Sequence, residues 1–282
     1  MKKWTINNQP DMQKGQISNI IRSLRLIRFA DRVRYVFQLI KNRKINRKFK
    51  VANPEVGLPP DYLIYESFQI NYHKYFAESR GVAKWVVEKF RPYVCRDNGN
   101  ILDWGCGPGR VIRHLPDLLD GQWSCHGTDY NSKSIGWCRK NLPGIEFNNN
   151  NLDAELLYPN DFFDVIYGLS VFTHLSAAKH HEWFEELNRV LKPGGVMLFT
   201  TQGQNFREKL TPDECKRFDA GELIVRGKVK EGHRTYSAFH PDLFMLEMFA
   251  NANVEVLDHE VPSPLAGRSL PQDLWIIRKP VL

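Results

Sequence analysis

The residues best suited to chemistry fall in one short run, Ile101-Leu102-Asp103-Trp104-Gly105-Cys106-Gly107-Pro108-Gly109-Arg110. An apolar stretch ends in three glycines at alternate positions, and helical periodicity follows. Glycine lets the backbone turn tightly and approach a ligand with no Cβ in the way. The N-terminus of a following helix offers N–H groups to a carboxylate or phosphate. Cys106 counts with Gly105, Gly107 and Gly109 as a small residue of this loop. The spacing Gly-x-Gly-x-Gly is not the dinucleotide pattern Gly-x-Gly-x-x-Gly. Asp103 also precedes the first glycine by two residues. A carboxylate aimed at such a crevice repels a pyrophosphate and suits a ligand with an amino group. Asp129 follows Gly109 by twenty residues, in Gly127-Thr128-Asp129-Tyr130. An acid there can accept hydrogen bonds from two ribose hydroxyls, and Tyr130 can lie against a base. Asn148-Asn149-Asn150-Asn151-Leu152 offers amides that both donate and accept, as an adenine edge requires. The implied ligand has a ribose, an adenine and an amino acid end.

Such residues need elements to position them. Apolar stretches at 100–104, 122–128, 145–149, 163–168 and 196–201 predict strands, with helices at about 109–119, 132–142 and 176–191 between them. Alternation of this kind predicts a parallel sheet with helices on both faces. A helix from near Pro241 and strands at 253–258 and 273–278 complete the series. Residues 202–240 are too long for an ordinary connection and read as a substrate flap. Within them Glu222–Lys228 and Arg234–Phe239 flank Glu231-Gly232 as a hairpin. Ahead of the sheet, Leu26, Ala30, Val33, Phe37 and Ile40 form one stripe of a helix over about 17–43. Pro54, Gly57, Pro59 and Pro60 then mark a linker. Three parts follow: a basic arm with amphipathic helix and linker at 1–60, an aromatic helical cap at 61–98, and the α/β domain at 99–282.

With these residues in place the chain resembles the class I S-adenosylmethionine-dependent methyltransferases. The likeness is carried by Leu102–Arg110, Gly127–Tyr130, Phe163–Gly168, and Leu191-Lys192-Pro193-Gly194-Gly195 ahead of a strand. It implies a Rossmann-like, mostly parallel seven-stranded sheet with its last strand antiparallel, here with an N-terminal helical extension. It implies S-adenosylmethionine as cofactor and S-adenosylhomocysteine as product. Asp103, Gly105, Gly107 and Gly109 then surround the methionine end, Asp129 binds the ribose, and Gly168 and Leu169 border the sulfonium. Members of the family often carry an acid at the adenine edge. Here Asn150, Asn151 and Asp153 compete for that place, and Asn151-Leu152 is favoured. Gly168–Leu175 resembles a subgroup found among glycan and cell-surface biosynthesis enzymes, which favours O-methylation of a sugar, glycan precursor or other small molecule.

A sugar hydroxyl is scarcely ionised at neutral pH and benefits from a general base. His174, just past the fourth strand, is the leading candidate, and capping or packing of the next helix is its plainer role. Tyr72, Tyr236 and His240 are candidates to face substrate. His180 and His181 are expected on the exposed side of helix 176–191. The aromatics Tyr62, Tyr65, Phe68, Tyr72, Tyr75 and Phe76 read equally as a lid or as a layer packed on the domain.

Composition narrows the classes. Hydrophobic residues make up 42% and charged residues 25% of 282, an ordinary globular mixture. No apolar run is long enough to span a bilayer, and no apolar core follows Met1-Lys2-Lys3 as a secretion signal requires. Five cysteines with no Cys-x-x-Cys pair fit a reducing, cytoplasmic setting. No metal site is expected from ligand spacing. Residues 1–50 hold 14 Lys/Arg against two acids, whereas the rest of the chain is mildly acidic. Three readings of that arm stand: a solvated helix packed by its stripe, peripheral contact of 17–50 with an anionic membrane at the inner face, or RNA capture. Nucleic acid ranks last because no recognisable RNA-binding module is present. The alternatives to small-molecule methylation are an RNA or protein methyltransferase using the arm, and a scaffold that binds S-adenosylmethionine without catalysis.

Overall fold

The computed structural model describes residues 26–227, 229–267 and 269–281. Three helices come first: α1 (Ile27–Ala52), α2 (Asp61–Ser67) and α3 (Ser79–Phe90). Then follow β1 (Gly99–Trp104), α4 (Leu115–Leu118), β2 (Trp123–Asp129), α5 (Ser132–Asn141), β3 (Ile145–Asn149), β4 (Phe163–Leu169), α6 (Ala177–Val190) and β5 (Leu191–Thr201). The insertion holds α7 (Pro212–Asp219), β6 (Ile224–Arg226) and β7 (Ser237–Phe239), and α8 (Asp242–Asn251), β8 (Glu255–Glu260) and β9 (Asp273–Arg278) finish the chain's elements.

Seven strands pair in the order β3-β2-β1-β4-β5-β9-β8. The first five are parallel, and β9 runs antiparallel to both β5 and β8. Strand alternation sends successive side chains to opposite faces, and each face meets its own helices. Ile101, Val165, Val196 and Ile276 pack with Ala83, Val86 and Phe90 of α3 and Ile135 of α5. Leu102, Ile166, Met197 and Ile277 pack with Trp183, Phe184 and Leu187 of α6 and Met245 and Phe249 of α8.

Three elements differ from expectation. The helix predicted at 109–119 is broken into a 3-10 turn, Ile112–His114, and the single turn α4. Pro116 has no N–H to give and its ring crowds the preceding turn, so a continuous helix cannot run through it. Conversely α1 continues well past residue 43 to Ala52. Lys and Arg are good helix formers and no breaker precedes Pro54; residues 17–25 of the predicted span lie outside the described residues. The insertion is a hairpin, with Ile224–Arg226 paired to Ser237–Phe239, but its connection is a long loop rather than a tight turn, and Lys228 lies outside the described residues. Phe206, Leu210, Phe218, Ile224 and Phe239 give the insertion a small core of its own.

α1 packs by a face other than the predicted stripe. Gln38 Oε1 accepts from Ile70 N at 2.8 Å, and Asn46 Oδ1 accepts from Tyr72 N at 3.0 Å. Phe49 joins Ile64, Tyr65, Ile70, Tyr72 and Tyr75 in an aromatic cluster. Leu26, Val33, Phe37 and Ile40 of the stripe face solvent. Periodicity finds an apolar side, but polar anchors decide which side meets the body.

Candidate active site

The carboxyl ends of β1, β2 and β4 open into one crevice, where open α/β sheets bind ligands. Gly105 N and Cys106 N both donate to Thr128 O, at 2.8 and 3.0 Å, which ties the glycine loop to β2. Gly107 N donates to Asp129 Oδ2 at 2.9 Å, and Asn131 N donates to Asp129 Oδ1 at 2.7 Å. Asp129 therefore holds the loop on one side and the start of α5 on the other. Tyr75 donates from its hydroxyl to Pro108 O at 2.7 Å, so the aromatic layer also fixes the loop. Gly105 has φ +76°, and a Cβ there would come within 2.5 Å of Val171 Cγ2. A side chain at this position would need strained backbone and space that Val171 already fills.

Gly105, Gly107, Asp129, Tyr130, Asn151, Leu152, Leu169 and His174 line the crevice together. The enclosed part of the crevice has a volume of about 160 Å³, and its mouth opens to solvent. Burial pushes the Asp129 carboxyl up to about 6, against the two backbone donors. Asn150 is committed elsewhere: its Oδ1 accepts from Thr128 Oγ1 at 2.7 Å and its Nδ2 donates to Asn151 O at 2.7 Å. That leaves the Asn151 side chain as the amide exposed beside the crevice.

His174 follows β4 in a 3-10 turn. Its Nδ1 lies 2.8 Å from Tyr236 O. A carbonyl only accepts, so Nδ1 carries the proton and Nε2 keeps the lone pair. Burial lowers the ring's proton affinity, so it is held neutral. The flap closes over this ring, with Gly232 N donating to His174 O at 2.9 Å and Ser176 N to Glu231 Oε1 at 2.5 Å.

Several predicted residues lie elsewhere. Asp103 does not line the crevice; it is 4% exposed, on the sheet face of Ile101, where burial pushes its carboxyl up to about 7 against the pull of Tyr167 and Arg110. Strand alternation sends Trp104, its neighbour, to the other side, and Trp104 does line the crevice. Cys106 is buried, with its thiol against Gly107 O and Gly127. Gly109 turns towards α5, where a Cβ would meet Leu142 Cδ1 at 2.5 Å. Gly168 makes room for the Trp104 ring, at 2.7 Å from its would-be Cβ. Each of these three shapes the loop or strand from outside the crevice.

The three substrate candidates are corrected. Tyr72 points to α1 and donates to Asp61 Oδ1 at 2.7 Å. Tyr236 is buried and presents its carbonyl to His174, so it positions that ring through the backbone. His240 is sealed against His180, Nε2 to Nε2 at 2.9 Å. His180 is itself fully buried, stacked on Phe172, rather than exposed as expected; His181 is exposed. His180 Nδ1 meets Ser176 O at 2.7 Å, so it carries its proton there and His240 donates into the remaining lone pair.

Sequence reasoning missed part of the cover. α2 contributes Leu63, Glu66 and Ser67, and the flap contributes His233 and Arg234. Arg234 lies 3.9 Å from the Tyr65 ring centroid and 3.3 Å from Asp31 Oδ1. The aromatics of 62–76 thus serve as a packed layer, while the polar residues among them face the crevice. No local pattern marked Glu66 or Arg234, because only the tertiary fold brings them together. The fold also brings together Asp242, His259 and Asp273, with His259 Nε2 at 3.6 Å from Asp273 Oδ2, a group that sequence spacing did not show.

Residues 101–195 match the family described as a methyltransferase domain. A probable S-adenosylmethionine-dependent methyltransferase of Mycolicibacterium smegmatis is 33% identical over 148 residues, 50% of this chain and 55% of that protein. A fatty-acid O-methyltransferase of the same organism is 28% identical over 150 residues, 52% of this chain and 48% of that one. The chain spans about half the length of these two curated relatives. A solved S-adenosylmethionine-dependent methyltransferase of Methanosarcina mazei matches with a TM-score of 0.52 at 20% identity, covering 69% of this chain and 98% of that one, a likeness of fold.

Proposed function

Because this chain belongs to the class I S-adenosylmethionine-dependent methyltransferases, we propose that it methylates a hydroxyl oxygen of a small polar molecule, a sugar or glycan precursor being the leading class. The residues fit the cofactor on two observations. Asp129 is a buried carboxylate at the crevice wall with lone pairs beyond the two backbone donors it already holds, as ribose hydroxyls require. The wall at Gly105 has no room for a Cβ, so the loop offers bare backbone there. Asp129 would hold the ribose, Tyr130 and Leu152 the adenine faces, Asn151 its edge, and Gly105, Gly107 and Leu169 the methionine end.

When bound, S-adenosylmethionine supplies a methyl carbon already activated by its sulfonium, so the protein's task is mainly alignment. His174 carries the oxygen reading. Its neutral ring, fixed by Tyr236 O, presents Nε2 as the acceptor for a hydroxyl proton. Glu66, Ser67, His233 and Arg234 give the cover the hydrogen-bonding groups that a polyhydroxylated acceptor would use. The fatty-acid O-methyltransferase among the relatives supports oxygen as the acceptor atom.

The test supplies the full chain with methyl-labelled cofactor and a panel of free sugars, lipid-linked sugars and matched amines. Label on a hydroxyl is expected. His174→Gln should lower kcat by about a hundredfold or more and leave S-adenosylhomocysteine affinity unchanged. Label on amines alone, with His174→Gln as active as wild type, would refute it.

A further inference from the structure

α1 is fastened to the body by one side only. Asp31, Tyr35, Gln38, Asn46 and Phe49 occupy that side. At 100° per residue, Phe29, Val33, Phe37 and Ile40 fall on the opposite side, and there Phe29 is 69%, Phe37 60% and Ile40 71% exposed. The same geometry places Arg32 and Arg43 along one border of this stripe and Arg34 and Lys41 along the other. All nine basic residues of the helix are exposed. Its one acid, Asp31, turns inward to Tyr65 and Arg234.

We propose that α1 docks on an anionic lipid surface, with the apolar stripe entering the headgroup–acyl boundary and the bordering Arg and Lys meeting phosphates. An exposed apolar stripe bordered on both sides by basic residues has the chemistry of an interfacial helix. Among the described residues no helix is long and apolar enough to cross a membrane, and α1, with nine basic residues and one acid, lies along the surface. RNA would satisfy the charges but leave Phe29, Phe37 and Ile40 in water. A second copy would satisfy the stripe but oppose two rows of positive charge. Residues 1–25 hold five Lys/Arg and one acid, so they share the sign of the face and do not neutralise it. The helix also borders a second cleft, lined by Arg28, Tyr62 and Lys230, that joins the crevice at Glu66 and His233.

The test is flotation of the full chain with vesicles of phosphatidylcholine alone, or with an equal part of phosphatidylglycerol. Binding is expected only to the anionic vesicles and should fade with salt. A triple variant, Arg32→Gln, Lys41→Gln and Arg43→Gln, should weaken it by about a hundredfold. Phe29→Ser with Phe37→Ser and Ile40→Ser should weaken it by about tenfold or more. Both variants change exposed residues and should keep wild-type S-adenosylhomocysteine affinity, which reports an intact fold. Equal binding to neutral vesicles, or none to either, overturns the proposal. So does capture of single-stranded RNA in place of vesicles, or an apolar variant that keeps vesicle affinity but turns a sedimenting dimer into a monomer.

Discussion

Asp129→Asn probes the centre of the proposed cofactor site with the smallest change of shape. The carboxylate accepts from Gly107 N at 2.9 Å and Asn131 N at 2.7 Å, one on each oxygen. An amide has one acceptor oxygen, so its NH2 must face one of those N–H groups. The free protein should lose about 1–3 kcal/mol for the orphaned donor. Cofactor binding loses more, because hydrogen bonds from ribose hydroxyls to a charge give way to bonds to a neutral amide. At about 1.5 kcal/mol or more for that change, S-adenosylhomocysteine should bind at least about tenfold more weakly. The same carboxyl sets a pH dependence. Burial holds it at about 6, and hydroxyl donors need the ionised form. Wild-type affinity should be flat above that value and fall by about tenfold for each pH unit below it. Binding below it should release a proton, read by calorimetry in buffers of different ionisation heat. Asp103, held near 7 by burial, lies outside the crevice and adds no step to the affinity, so the fall below about 6 should vanish in Asp129→Asn. An Asn variant that binds within about threefold of wild type, or a wild-type affinity indifferent to acid, would refute the placement of ribose on Asp129.

Other outcomes follow from the same geometry. Gly109→Ala should cost about 1–3 kcal/mol of stability, because φ is +76° and the new Cβ meets Leu142 Cδ1 at 2.5 Å; ligand affinity should hold in the folded fraction, as read by denaturant melts and titration. Gly105→Ala carries similar strain at the crevice wall, so it should lose affinity as well. The buried His180–His240 pair is neutral, with His180 held down at about 4 and His240 also depressed, chiefly by burial. The unfolded chain takes up protons on these rings at about pH 6.5, so their stability is full above that pH and lost as pH falls towards about 4. His240→Gln, which can still donate to His180, should show a shallower fall of Tm over that window. His174 has its proton affinity lowered by burial, so kcat on the true acceptor should hold below the ordinary histidine range before falling, and His174→Gln should lack that limb.

Much of this site is legible in the sequence because strands and glycines report locally. Alternating apolar residues such as Ile101 and Leu102 face two different helix layers, and that pattern is visible without coordinates. Gly105 and Gly107 are likewise readable, since few other residues tolerate such backbone. What escapes the sequence is direction. Tyr72, Tyr236 and His240 are polar residues near loops, and nothing local says that they turn to Asp61, offer a carbonyl to His174, or pair with a buried His180. Asp103 shows the finer limit, because a shift of one position along a strand exchanges crevice for core. The α1 stripe shows another: this helix carries an apolar row on the side that the body leaves uncovered, because polar anchors such as Gln38 and Asn46 hold the other.

The place of β9 bears on how the chain is made. It follows β8 in sequence, yet it lies between β5 and β8 in the sheet. As the polypeptide emerges during synthesis, β1 to β5 can pair in turn, but β5 then waits with one edge open. β8 arrives with no neighbour to join, because its partner is the next strand. The waiting edge is apolar, carrying Val196, Leu198 and Phe199, and open apolar edges recruit other chains. Nascent chains stalled before β9 should therefore be the aggregation-prone species and the natural clients of chaperones. A lesion in Leu274, Trp275 or Ile276 would first reduce the yield of folded chain, before it affected any chain that had folded.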